Sequence, residues 1–70
     1  MAHLRLMTTQ EVADYLTRAG VQTSARTLEA WRRQGTGPDF LRVQGRVRYR
    51  PAAVREWLVQ DEHKSAGTAA

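Results

Sequence analysis

The first group of residues with the chemistry of a binding site is a set of four at helical spacing: Arg26, Glu29, Ala30 and Arg33. At i, i+3, i+4 and i+7 they share one helix face, while Leu28 and Trp31 lie on the opposite, apolar face. Two guanidinium groups around a small alanine suit the major groove of DNA, where long donors reach guanine edges and phosphates. Two further members of the predicted contact set flank this stripe: Thr27 and Arg32.

Glu29 has two interpretations within this stripe. Its carboxylate can accept a hydrogen bond from a cytosine amino group, or it can pair with Arg26 or Arg33 on the helix surface. We favour the pairing. Most surface helices carry charges, so the stripe alone also fits a merely solvated helix face.

A second basic group follows at residues 42–50, which contain no acidic residue. Its members are Arg42, Arg46, Arg48 and Arg50. Four arginines at close spacing repel one another unless a polyanion neutralises them. As a wing beside the helix, we expect these four arginines to contact an adjacent minor groove or its phosphates, and Arg46, Arg48 and Arg50 enter the predicted contact set. A charged edge strand that resists aggregation is the alternative.

The composition supports a nucleic-acid partner. The 70 residues include 11 basic and 7 acidic ones, for a formal net charge of +4, and ten of the basic residues are arginine. The guanidinium fork donates two parallel hydrogen bonds to phosphates and guanine edges. There is no cysteine, and the two histidines lie far apart in the sequence, so we expect no metal and no cofactor. No signal peptide or membrane span is indicated, and we expect a cytoplasmic, DNA-associated protein in a bacterial host cell.

An enzymatic role is not expected. The Arg-Tyr-Arg run at residues 48–50 invites comparison with an activated tyrosine nucleophile. A chain this short leaves no room for the other catalytic groups or for a shaped pocket. We therefore assign Tyr49 to the core. Trp31 and Trp57 are assigned to the core as well, because each lies three residues from a core aliphatic residue.

Two helices are predicted in the first half of the chain, and the second of them carries the first basic stripe. Residues 8–11, Thr-Thr-Gln-Glu, form a capping box, and Gly20 supplies a left-handed stop, which predicts a helix over about residues 9–18. Ser24 as N-cap, with Thr23 as competitor, and Gly35 as stop predict a second helix over about residues 25–34. Residues 1–7 are a lead-in from which Leu4 and Leu6 pack on the core.

A hairpin and a third helix complete the domain. Residues 40–43 and 46–50 read as strands around Gln44-Gly45. A two-residue turn sets Leu41 opposite Arg48, whereas a three-residue loop sets Val43 opposite Val47; we favour the second because a one-residue slip is expected to bury arginine. Pro51 begins a helix that frays near Gln60 or Asp61, and residues 61–70 form a flexible tail.

The predicted fold is mainly α with a small β-hairpin: a winged helix-turn-helix over residues 8–60, in the order helix-helix-strand-strand-helix. The pattern resembles the excisionase family, small winged-helix proteins of the MerR-like type. The segments that carry the resemblance are Thr8–Leu16, Ser24–Gly35, Gly37–Pro38, Phe40, Val43, Gly45–Tyr49 and Val54–Leu58. The family joins its two helices more tightly, whereas residues 21–23 lengthen the turn here, which leaves the angle between the helices open.

The resemblance implies binding to repeated sites in a phage attachment region, bending of the DNA, and a shift of an integrase from insertion toward excision. Such proteins are also called recombination directionality factors. By the same resemblance the family's recognition helix falls on Arg26, Thr27, Ala30 and Arg33, and its wing on Arg46 and Arg48. The helical wheel and the charges add Arg32 and Arg50.

The expected partners are double-stranded DNA and an integrase, with no membrane. We expect a monomer in solution, because a coiled-coil helix after residue 60 is not indicated, with head-to-tail assembly on repeated sites. A small phage or plasmid transcriptional regulator of the same fold needs the same surface and stays open. A protein-interaction module needs a broad exposed apolar patch, which the sequence does not indicate.

Overall fold

A computed structural model describes the backbone of residues 5–69 and the side chains of residues 5–60. Three helices and one antiparallel hairpin follow in the predicted order. Their bounds are α1 Thr9–Arg18, α2 Ala25–Gln34, β1 Leu41–Val43, β2 Arg46–Arg48 and α3 Pro51–Ala69. This is the architecture of a winged helix-turn-helix, and the predicted fold class is confirmed.

The helix boundaries in the first half follow from their caps. The Thr8 hydroxyl accepts from the Glu11 backbone N–H at 3.1 Å, and the Glu11 carboxylate accepts from the Thr8 N–H at 2.8 Å. Ser24 caps α2 by accepting from the Thr27 N–H. Gly35 ends α2 at a φ of +76°, in the left-handed region that favours glycine. Both predicted helices and the capping box are therefore confirmed.

The long turn between α1 and α2 is held by side-chain hydrogen bonds. The Thr17 hydroxyl donates to the Thr23 carbonyl at 2.9 Å and accepts from the Thr23 N–H at 3.1 Å. The buried Thr23 hydroxyl donates in turn to the Val21 carbonyl at 2.6 Å. Because the backbone groups of the turn find partners in this way, the three additional residues do not leave buried polar groups unpaired.

The hairpin uses the two-residue turn, so the favoured three-residue loop was wrong. Leu41 pairs with Arg48, and Val43 pairs with Arg46. Gln44 and Gly45 have φ values of +54° and +79°, and positive φ at both central residues matches the right-handed twist of the strands. This register does not place arginine in the core, contrary to the expectation from the sequence. Arg46 and Arg48 face away from the core, and the apolar side chains of Leu41 and Val43 in β1 lie on that same outer face.

The lead-in to α1 completes the wing. Met7 and Tyr49 form an antiparallel bridge, in which each backbone N–H donates to the other's carbonyl at 2.8 Å. Met7 packs against the core, a role that the sequence assigned to its neighbour Leu6. Leu4, the other residue expected to pack there, lies outside the described residues. The bridge ties the start of α1 to the end of β2.

The core lies where the three helices and the base of the wing meet. Its buried side chains are Val12, Ala13, Leu16, Leu28, Tyr49 and Val54. The rings of Trp31 and Trp57 pack against this cluster, with centroids 5.3 Å apart. The predicted core placement of Tyr49 and both tryptophans is thus confirmed.

The third helix begins at Pro51 as predicted and continues to Ala69. The expected end near Gln60 or Asp61 was therefore wrong. Residues 61–66 contain neither proline nor glycine and include good helix formers, so nothing in the backbone chemistry stops the helix there. A helix of this length also removes the early end of α3 as a reason to expect a monomer, and the monomeric state stays a prediction. The flexibility of residues 61–70 likewise stays a prediction.

Candidate nucleic-acid interface

The outer face of α2 presents the predicted stripe. Arg26, Glu29 and Arg33 are exposed, and Ala30 is half-buried between them. Thr27 is also half-buried, and its hydroxyl lies 3.1 Å from the Ser24 hydroxyl that caps the helix. Within residues 5–60 neither guanidinium group pairs with an acid, so the stripe offers two arginines around the small Ala30, as a helix needs for close approach to base edges.

Arg32 differs from the other arginines of α2. Its side chain is half-buried, and its Nη1 atom donates to the Tyr49 hydroxyl at 2.9 Å and to the Thr9 hydroxyl at 3.2 Å. Its guanidinium carbon also lies 5.7 Å from the centre of the Phe40 ring. Arg32 thus joins α2 to α1 and to the wing, a role that the helical wheel did not show.

The wing carries its predicted arginines on one face. Arg46 and Arg48 alternate with Val47 and Tyr49 along the chain, and the latter two pack toward the core. Arg50 follows on the same side in sequence alternation and is exposed. Arg48 is half-buried, and its Nη1 atom donates to the Val47 carbonyl at 2.7 Å. The wing arginines therefore project from the face of β2 opposite the buried Tyr49.

A groove between α2 and β1 brings arginines of the two elements together. It has an open volume of about 400 Å³. Its lining residues are Glu29, Arg32, Arg33, Phe40 and Arg42. The guanidinium carbons of Arg32 and Arg42 lie 5.7 and 5.9 Å from the centre of the Phe40 ring, so the helix and the strand direct positive charge into one space.

The arginines of this surface are not neutralised by neighbouring acids. Within the described side chains, one salt bridge forms, between Arg5 and Glu11 at 3.6 Å. Glu29 makes no salt bridge with Arg26 or Arg33 there, contrary to the favoured interpretation of the sequence. Asp39 and Glu56 do not pair with α2 or the wing either. The surface therefore keeps its positive charge for a ligand.

A family model of the helix-turn-helix domain matches residues 6–60, which is more than half of the chain. The chain belongs to the helix-turn-helix domain family. No curated protein and no solved structure matches the sequence. The helix-turn-helix domain binds double-stranded DNA through its second helix, which here is α2. Members of this family typically carry no catalytic site.

Phe40 is the residue of this helix-turn-helix surface that the sequence did not assign to DNA. The sequence placed Arg42 among the four wing arginines expected to contact DNA, although outside the predicted contact set, whereas Phe40 was assigned only to a strand. Phe40 is 38% exposed although it is a large aromatic residue. Phe40 follows the Gly-Pro-Asp breaker run at residues 37–39 directly, but no pattern in the sequence places its ring beside Arg32 and Arg42.

In the described part of this helix-turn-helix chain, no helix is both long enough and apolar enough to span a membrane.

Proposed function

We propose that this helix-turn-helix protein is an excisionase-type architectural factor. It binds repeated sites in a phage attachment region, bends the DNA and directs an integrase toward excision, within the cytoplasm of a bacterial cell. The chain performs no chemistry itself. It changes the path of the DNA so that the integrase joins different ends.

The observation that carries the proposal is the shared groove of α2 and β1, with arginines from both elements and, among the side chains of residues 5–60, no acid paired to them. A recognition helix and a wing that act together contact adjacent grooves of one duplex. In this proposal Arg26, Thr27, Ala30 and Arg33 contact the major groove. Arg46, Arg48 and Arg50 contact the neighbouring minor groove or its phosphates, where basic side chains stabilise a bent duplex.

Assembly on DNA is a further part of the proposal. We expect a monomer in solution that lines up head to tail on repeated sites, an open arrangement that does not close into a ring. Sedimentation velocity of the free chain tests the first part. A stable dimer in the absence of DNA contradicts it.

The proposed function is tested by bending and excision together. A duplex is first selected from a random pool, and circular-permutation electrophoresis then measures the bend that the chain induces. An excision assay follows, with a candidate phage integrase and a plasmid that carries both attachment junctions. The expected result is a bend at the bound site and an increase in excised product, both lost in the Arg26→Ala, Arg33→Ala double variant.

The second candidate function is a small transcriptional regulator, and the same experiments distinguish it from an excisionase. Both functions use the same DNA-binding surface, since a small phage or plasmid transcriptional regulator also needs α2 and the wing. Binding without a bend, no effect on excision and repression of a promoter that contains the selected site favour the regulator and overturn the excisionase role.

A further inference from the structure

The groove between α2 and β1 has a composition that the recognition of base edges does not require. Phe40 lies between two guanidinium groups, one from each wall, and its ring remains partly exposed. Three arginines and one glutamate line the space. The groove therefore alternates strong positive charge with an apolar surface.

The two guanidinium groups beside Phe40 are held in different ways. Arg32 is fixed by the Tyr49 and Thr9 hydroxyls through its Nη1 atom alone. Among residues 5–60 the hydrogen bonds of Arg32 all leave from that atom, so Nε and Nη2 keep their N–H groups for a ligand. Arg42 is exposed, and within the same residues it makes no hydrogen bond or salt bridge through its side chain. One charge is thus preorganised and the other is free to close on a ligand.

A sugar-phosphate strand has the matching chemistry. Its phosphodiester anions suit the guanidinium forks, and the apolar face of each deoxyribose suits an exposed aromatic ring. When a helix lies in the major groove and a wing contacts the adjacent minor groove, one phosphate strand separates them. That strand must pass between α2 and the wing, which is where the groove lies.

We propose that this groove seats one sugar-phosphate strand of the bound duplex, with Arg32 and Arg42 on its phosphates and Phe40 against a deoxyribose. The proposal rests on the proposed function only in so far as the chain binds double-stranded DNA through α2 and the wing. It adds Phe40 to the contact surface and places Arg42 on the strand between the two grooves. It also gives Arg32 a backbone contact rather than a base contact.

The salt dependence of binding tests the assignment of Arg42. Affinity is measured at several salt concentrations for a duplex of about 20 base pairs, selected from a random pool by the unaltered chain. Arg42→Ala is expected to lower the slope of log affinity against log salt by about 0.9. Arg55→Ala is the matched control, because Arg55 is an exposed arginine of α3 outside the groove and its loss should leave the slope unchanged.

Substitution of single phosphates in the duplex by an uncharged group shows which phosphate Arg42 contacts. Replacing one phosphodiester at a time by a methylphosphonate should weaken binding of the unaltered chain about fivefold to tenfold at one or two adjacent positions. Arg42→Ala should bind the same substituted duplexes with no further loss at those positions, since the contact is already absent. Phe40→Ala should weaken binding without a change in the salt slope, whereas Phe40→Leu should retain most of the affinity.

The outcomes separate this inference from the proposed function. If the chain binds and bends the duplex but Arg42→Ala alters neither the slope nor the methylphosphonate pattern, the groove assignment is wrong and the proposed function stands. If the chain neither bends DNA nor stimulates excision while Arg42→Ala still lowers the slope, the groove assignment stands and the proposed function is wrong. A decaglutamate peptide that displaces the duplex at equal charge concentration, and does so only with Arg42 present, assigns the groove to an acidic peptide and overturns the inference.

Discussion

The Nη1 atom of Arg32 lies 2.9 Å from the hydroxyl oxygen of Tyr49, and this hydrogen bond joins α2 to the base of the wing. Tyr49 is buried, and its backbone also pairs with Met7 ahead of α1. The same Arg32 atom donates to Thr9 in the first turn of α1. One guanidinium group therefore links α2 to both α1 and the wing.

Removal of the Tyr49 hydroxyl should weaken the connection between α2 and the wing. We expect Tyr49→Phe to lower the free energy of unfolding by about 1.5 kcal/mol, because a buried hydrogen bond to a charged donor is lost while the ring still fills the core. Urea unfolding followed by tryptophan fluorescence measures the change. DNA affinity should fall more than the small loss of folded protein explains, since Arg32 is no longer held in the groove.

A double-mutant cycle provides the control. Arg32→Met keeps the aliphatic part of the side chain but removes the donor, so its combination with Tyr49→Phe should cost less than the two single changes added together. Strict additivity of the two changes means that the hydrogen bond does not contribute to stability, and it contradicts the connecting role of Arg32.

The sequence predicted the helices well, because their caps are local, but it did not predict the long-range contacts of Arg32. The caps at Thr8 and Ser24 fix both helix starts through hydrogen bonds within three residues, which a sequence displays directly. The partners of Arg32 lie 17 and 23 residues away, and no periodic pattern encodes such contacts. The helical wheel therefore placed Arg32 beside the outward stripe, whereas tertiary packing turns it toward Tyr49.

The hairpin register was missed for a different reason. The preference for apolar pairs assumed that one whole face of the wing packs on the core. The core contacts only the base of the wing, through Val47 and Tyr49, and Val43 near the tip is exposed. With little burial at stake along β1, the backbone geometry of the Gln44-Gly45 turn decides the register.

That turn yields a second prediction. Gln44 adopts a φ of +54°, which a residue with a Cβ atom and no local hydrogen-bonding side chain adopts at a cost. Gln44→Asn should raise the free energy of unfolding by about 0.5 to 1 kcal/mol, because asparagine tolerates this conformation and Asn-Gly favours a two-residue turn. Gln22→Asn, at an exposed position between the helices, is the control for the change of side chain. A decrease in stability on Gln44→Asn contradicts the register.

Two glycines with the same backbone conformation allow a matched test of packing. Gly35 and Gly37 have φ values of +76° and +83°, so alanine is strained at both by about 1 kcal/mol. A Cβ atom at Gly37 lies 2.9 Å from Cε3 of Trp31, whereas one at Gly35 meets nothing within 4 Å. Gly37→Ala should therefore cost about 1 to 3 kcal/mol more than Gly35→Ala in thermal or urea unfolding. Equal costs for the two variants mean that the loop does not pack on Trp31.

The last prediction concerns the division of labour between the helix and the wing. Arg26→Ala or Arg33→Ala should weaken binding to the selected duplex by about 1 to 3 kcal/mol and relax the sequence preference, because these side chains are expected to contact base edges. Arg46→Ala or Arg48→Ala should weaken binding to every duplex by a similar factor, because phosphates carry no sequence information. Selection from a random pool, followed by sequencing of the bound fraction, measures both effects for each variant.

The expected pattern depends on which groups the arginines reach. Arg26 and Arg33 are exposed on the outer face of α2, and Arg46 and Arg48 project from the outer face of β2. Glu29→Gln supplies a contrast within the stripe: if Glu29 accepts a hydrogen bond from cytosine, the preference should change at one base pair while affinity for other duplexes rises. A selected sequence that keeps its preference in Arg26→Ala and Arg33→Ala, but loses it in Arg46→Ala, reverses the assignment. Sequence recognition then belongs to the wing, and α2 contributes only attraction to the phosphates.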